Sequence, residues 1–212
     1  TKIDQELNWE GIFHEYLQIV QKNPKVTRTA FQRLYDMIVS YGTETYTDHK
    51  KPITHYNFFD DPMDEGKDAI YGLDIHLMRF VNVLKAAARS YGPEKRVILL
   101  HGPVGSSKST TVRLLKKGLE KYSRTDEGEL YTFFWDFEEE DEALGGSKRM
   151  ECPMHEEPLR LIPGRWRQQV LDTLNTDLPE NDKIQIAGEL DPACRFIFRE
   201  LLRRYDGDWE KV

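Results

Sequence analysis

Cysteine is scarce in this chain: Cys152 and Cys194 are the two present among 212 residues. That is no disulfide framework of the kind small secreted folds use, and it suits a reducing, cytoplasmic setting. Long hydrophobic runs are missing too; none approaches the ~20 residues needed to span a bilayer. The opening TKIDQELNWEGIF lacks the basic-then-apolar order of a secretory leader, so no membrane partner is expected. Basic charge is in deficit, and a net charge of −7 weighs against general nucleic-acid affinity. One local basic group, Arg113, Lys116, Lys117, Lys121 and Arg124, reads as the solvated face of a helix. There is no internal repeat, and the acidic run Glu138–Glu142 reads as a solvated loop.

What is present suits a polar globular protein: 39% hydrophobic and 32% charged residues in a chain long enough for a sizeable core. Trp9, Ile12, Phe13, Tyr16, Leu17 and Val20 recur at helical spacing until Asn23-Pro24. A second helix is predicted from Thr27 or Thr29, with Phe31, Leu34, Tyr35, Ile38 and Val39 on one face and Gly42 to stop it. Residues 43–63 are mixed in character, and Asp60-Asp61-Pro62 reads as a turn and domain boundary. Asp74 is placed to cap a helix bearing Leu77, Met78, Val81, Leu84 and Ala88. Further helices are predicted near Arg165–Leu174 and Pro192–Tyr205.

The segment from Arg96 to Thr111, RVILLHGPVGSSKSTT, carries the strongest chemical signal. Val97, Ile98, Leu99 and Leu100 form an apolar run suited to a strand covered on both faces. Gly102 and Gly105 let the backbone turn, so that successive N–H groups of the loop from Gly102 through Val104–Thr110, Pro103 having none to give, can point at one anion. Within that loop Val104, Ser106 and Ser107 supply backbone, Lys108 a point charge and Ser109 a hydroxyl for Mg²⁺. The positive end of the following helix, opening with Lys108, Ser109 and Thr110, faces the same anion. Ser107 stands where the general G-x-x-x-x-G-K-[ST] pattern has its second glycine. Phosphate contact survives that change if Ser107 enters the helix with negative φ. Leu130–Phe137 is a second apolar strand candidate, and a helix between two strands makes a right-handed βαβ crossover the expected topology.

HGPVGSSKST, the upstream FFDDP and YGLDIHLMRFVN, and the downstream YSRTDEGELYTFFW and MECPMHEEPLRLIP together resemble the PrkA family. Its members are bacterial proteins described as serine protein kinases carrying an AAA+ ATPase domain. The resemblance runs from about Leu34 onward and makes Ser107 before the lysine a family feature. It implies an α/β P-loop NTPase of AAA+ type with a parallel-sheet core, preceded by a small N-terminal helical region. Residues 1–60 would form that region, and 61–212 the first part of the nucleotide-binding domain. It also implies that the turn at Ile70, Tyr71 and Gly72 flanks the adenine of bound ATP, and that the full-length protein forms homo-oligomers.

Catalytic parts are harder to find. No apolar run ending in Asp-Glu follows Phe137, so the acid that orients Mg²⁺ and water in ATP hydrolysis has no candidate. The chain reads as cut before that strand. No H-R-D-x-x-x-x-N loop occurs, and Asp136-Phe137 lacks the glycine of D-F-G. Catalytic residues, and any protein substrate, stay unassigned. Cys152-x-x-His155 could begin a zinc site, but two further ligands at metal spacing are not evident, and Cys194 stands apart. The expected function is an ATP-Mg²⁺-binding AAA+ module supporting phosphotransfer or nucleotide-gated assembly. The alternatives are a non-catalytic interaction module, an AAA+ ATPase doing mechanical work, or a small-metabolite P-loop kinase. That last is disfavoured by the acidic, proline-punctuated sequence after the loop.

Overall fold

The computed structural model describes residues 9–137, 144 and 146–212, so the acidic run Glu138–Glu142 lies outside the described residues. The described residues form two compact units, one of residues 28–129 and the other of residues 9–27 with those described from 130 to 212.

In the unit of residues 28–129, helix α2 (Ala30–Ser40) starts where expected. Thr29 Oγ1 accepts the Gln32 N–H, and the Gln32 side chain accepts the Thr29 N–H. That reciprocal bonding satisfies donors the helix leaves open. Residues 43–63, without a clear period in the sequence, hold an antiparallel hairpin of β1 (Thr43–Asp48) and β2 (Lys51–Tyr56). A short 3₁₀ turn, Asn57–Asp60, then drives Phe58 and Phe59 into the core. Helix α3 spans Asp74–Ala88 and helix α4 spans Lys108–Tyr122. Their apolar stripes close on Met37, Ile38, Phe58, Phe59, Val81, Leu84 and Leu114. Helix α1 (Phe13–Lys22) precedes all of these in the chain but belongs to the other unit.

Asp74 does not cap α3, contrary to expectation; it is the first helical residue. The hairpin offers its carboxylate better partners: Tyr46 Oη donates at 2.8 Å, and His55 Nδ1 lies 2.9 Å away. The apolar run Val97–Leu100 also departs from expectation. No ladder forms there among the described residues, and Val97 and Leu99 are 94% and 82% exposed. A strand buried on both faces needs neighbours on both edges, and the two ladders observed, β1–β2 and β3–β4, are both antiparallel.

In the other unit, the run Leu130–Phe137 contributes only β3 (Phe134–Asp136), paired with β4 (Arg149–Glu151). Helices α5 (Gly164–Leu174) and α6 (Pro192–Arg204) begin and end within a residue of expectation. Helix α6 is capped by Asp191, whose Oδ1 accepts the N–H groups of Ala193 and Cys194, with Pro192 in the first turn. Two apolar clusters result. One joins Phe133, Trp135 and Cys152 to the inner face of α6; the other joins Tyr16, Val20 and Val26 to Leu159, Ile162, Leu171 and Ile184.

Candidate nucleotide-binding loop

The loop from Gly102 to Ser107 leads directly into α4. Gly105 has φ +83, a conformation that costs glycine nothing and that a side chain would strain. Ser107 departs from expectation: it enters the helix with φ +54, not with negative φ. The physical reason lies in the motif itself, since a glycine normally fills this position and allows the left-handed turn that aims the loop at the helix axis. The serine keeps that turn and bears its cost, about 1–2 kcal/mol for a residue with a Cβ.

Lys108 folds back over the loop. Its ammonium donates to Gly102 O at 2.8 Å, Pro103 O at 2.6 Å and Ser106 Oγ at 2.9 Å. These three bonds use all three ammonium hydrogens on neutral oxygens. No carboxylate pairs with Lys108 among the described residues. Ser106 itself is held to Pro103 O through its hydroxyl at 2.8 Å. Val104 at the loop tip and Ser109 in the first helical turn are exposed. The N–H groups of Lys108, Ser109 and Thr110, in that first turn, have no acceptor within the helix. Thr111 N–H is the first to bond back, to Ser107 O at 2.8 Å. The arrangement is a short arc of open amide donors with one positive charge stored beside it.

The turn residues Ile70, Tyr71 and Gly72 divide. Ile70 is 2% exposed; its side chain sits in the core, and its N–H is already given to Phe59 O at 2.9 Å. It has no apolar face to lay on a ligand in this conformation. Tyr71 is 79% exposed, and Gly72 has open space around its Cα.

The basic face of α4 is not simply solvated. Arg113 makes a two-pronged ion pair with Asp68, and Lys117 reaches Asp61 at 2.7 Å and Asp64 at 3.6 Å. Hydrogen bonding to Asp68 raises the Arg113 pKa, and bonding to Asp61 outweighs burial to raise that of Lys117. Asp61 Oδ2 also accepts the Asp68 N–H at 3.0 Å. The acidic turn at residues 61–68, directly ahead of Ile70–Gly72, is thereby strapped to the helix that opens at the phosphate loop. The sequence reading missed this strap because ion pairs 45 and 56 positions apart leave no local pattern.

The PrkA AAA domain family matches residues 11–212, and the chain belongs to that family. It is 38% identical over 190 residues to a Bacillus subtilis (strain 168) protein named ATP-dependent protease PrkA. That match covers 89% of this chain and 25% of the relative, so the chain spans about a quarter of the relative's length. A Geobacillus stearothermophilus protein, named as uncharacterized in the gldA 5' region, is 33% identical over 97 residues, 45% of this chain and 89% of its own length. No solved structure matches the chain. An AAA domain implies the P-loop NTPase fold and nucleotide binding. No helix among the described residues is long and apolar enough to cross a membrane.

Proposed function

We propose that the chain is the ATP-Mg²⁺-binding part of a PrkA-type AAA+ protein, with residues 102–110 holding the phosphates. The observation that carries the reading is the stored ammonium of Lys108, held by neutral oxygens beside open helix-terminal amides. A clasp of neutral oxygens can be exchanged for phosphate oxygens, because an anionic acceptor adds the attraction of a full opposite charge that carbonyl and hydroxyl oxygens lack. Ser109, exposed on the first turn, would serve the magnesium ion, which neutralises phosphate charge when bound. Tyr71 and Gly72 are the base-side candidates, with Ile70 supplying structure from the core behind them. A parallel sheet flanking Val97–Leu100 belongs to this proposal as well; the exposed Val97 and Leu99 side chains support it.

The name of the Bacillus relative favours an ATP-driven activity on protein in the whole molecule. Serine phosphotransfer is the second reading, drawn from the family resemblance, and nucleotide-gated homo-oligomer assembly accompanies either. The test is ATP affinity of the chain and of Lys108→Ala, by calorimetry in magnesium buffer. Binding at least tenfold weaker is expected in the variant, about 1.4 kcal/mol. Unchanged affinity would remove the loop assignment.

A further inference from the structure

Three potential ligands from distant parts of the sequence, Cys152 on one side and the pair Asp191 and Cys194 on the other, meet in the unit that contains β3, β4 and α6. Cys152 directly follows β4, and Cys194 lies in the first turn of α6, which Asp191 caps. The two sulfurs and a carboxylate oxygen of Asp191 all lie within 4.8 Å of one another. Both cysteines are fully buried and unbridged. Each sulfur accepts an N–H: Cys152 from the Glu156 amide at 3.3 Å, Cys194 from Trp135 Nε1 at 3.4 Å. Donors aimed at sulfur favour the thiolate over the thiol, and such outer contacts are the usual surroundings of a thiolate bound to metal.

The backbone after Cys152 turns tightly. His155 has φ +48, and its N–H bonds to Cys152 O at 3.1 Å. The turn returns His155 to the neighbourhood of Cys152, with its ring on the surface. The four residues thus form two pairs of equal spacing, Cys152-x-x-His155 and Asp191-x-x-Cys194, one on a hairpin end and one at a helix start. That is how closed four-ligand zinc sites are built, with two short-spaced pairs on separate elements. Asp191 Oδ1 is occupied by the helix cap, while Oδ2 faces Cys152 Sγ at 3.8 Å. Glu156 accepts the Asp191 N–H at 2.9 Å and is itself paired with Arg160 at 2.6 Å, which fixes the second pair beside the first.

We propose that Cys152, His155, Asp191 and Cys194 bind one zinc ion, the His155 ring turning inward to complete a tetrahedron. Binding exchanges two thiol protons for the metal, with the carboxylate and a neutral imidazole as the other donors, and two protons leave to solvent. The ion would pin the short β3–β4 hairpin to α6, where the apolar core is small.

The test is titration of the chelator-stripped, reduced chain with cobalt(II), followed by zinc(II). One equivalent of cobalt is expected, with a thiolate charge-transfer band and the intense visible bands of a tetrahedral ion, both erased by zinc. Cys194→Ala should lose the charge-transfer intensity. His155→Ala, at an exposed position that leaves the core intact, should bind at least tenfold more weakly. A weak octahedral spectrum without thiolate character, or His155→Ala binding as tightly as the parent, would overturn the site.

Discussion

The ammonium of Lys117 lies 2.7 Å from Oδ1 of Asp61, a carboxylate with no solvent exposure at all. The pair joins the middle of α4 to the turn that precedes Ile70–Gly72. With Arg113 and Asp68 alongside, it ties α4 to the turn that precedes Ile70–Gly72 at two points. On the proposed reading, nucleotide recognition at the loop and the turn would draw on a geometry already set before binding.

Removing Lys117 leaves the Asp61 charge buried without its counter-ion. Lys117→Met should therefore lower stability by about 3 kcal/mol in urea unfolding. The double variant Asp61→Asn with Lys117→Met should recover part of that loss, since the stranded charge is gone. A single variant as stable as the parent would show that the pair carries no weight.

Ser107 holds a left-handed backbone that glycine adopts freely. Ser107→Gly should raise stability by up to about 1 kcal/mol, offset in part by the extra freedom of glycine in the unfolded chain. ATP affinity should be unchanged or better, because every backbone donor remains. A loss of affinity on this substitution would mean that the serine side chain itself contacts the ligand.

How much of this was legible beforehand depended on range. The loop-to-helix turn at Gly102–Lys108 and the helices at α1, α2, α4, α5 and α6 were readable because their signals are local: period, caps at Thr29, breakers at Asn23-Pro24 and Gly42. The hairpin at 43–56 was not, because β1 is exposed along nearly its whole length and so shows no alternation of polar and apolar residues. Asp191 escaped as a metal-ligand candidate because carboxylates are common and its neighbour Cys152 lies 39 residues away. Ser107 showed that a motif position can keep its backbone shape after losing the residue that makes the shape easy.

His55 sits between two carboxylates, Nε2 at 2.8 Å from Asp60 and Nδ1 at 2.9 Å from Asp74. Burial opposes its charge, but the bonds to Asp60 and Asp74 outweigh burial and raise its pKa above 6.5. Stability from this group is complete below pH 6.5 and is lost as pH rises through the raised value. Melting temperatures measured upward from pH 6 should fall in the parent and stay flatter in His55→Gln.

Glu157 behaves in the opposite setting. Burial raises its pKa to about 7, although Tyr16 Oη and the Leu159 N–H both donate to it. A raised acid favours the folded state while protonated, so its contribution is complete below pH 4.5 and disappears as pH climbs to about 7. Glu157→Gln, neutral throughout, should remove that slope, and an unaltered stability–pH curve would contradict the assignment.

At Gly118, an added methyl carbon would stand 2.6 Å from the Phe58 ring and 2.7 Å from the Met37 sulfur. The helix that begins at Lys108 is therefore seated flush on the aromatic floor, with no slack between backbone and ring. Any side chain at that position would have to push the Phe58 ring or the Met37 sulfur aside, so Gly118 is the point that sets how near the helix can come to this floor.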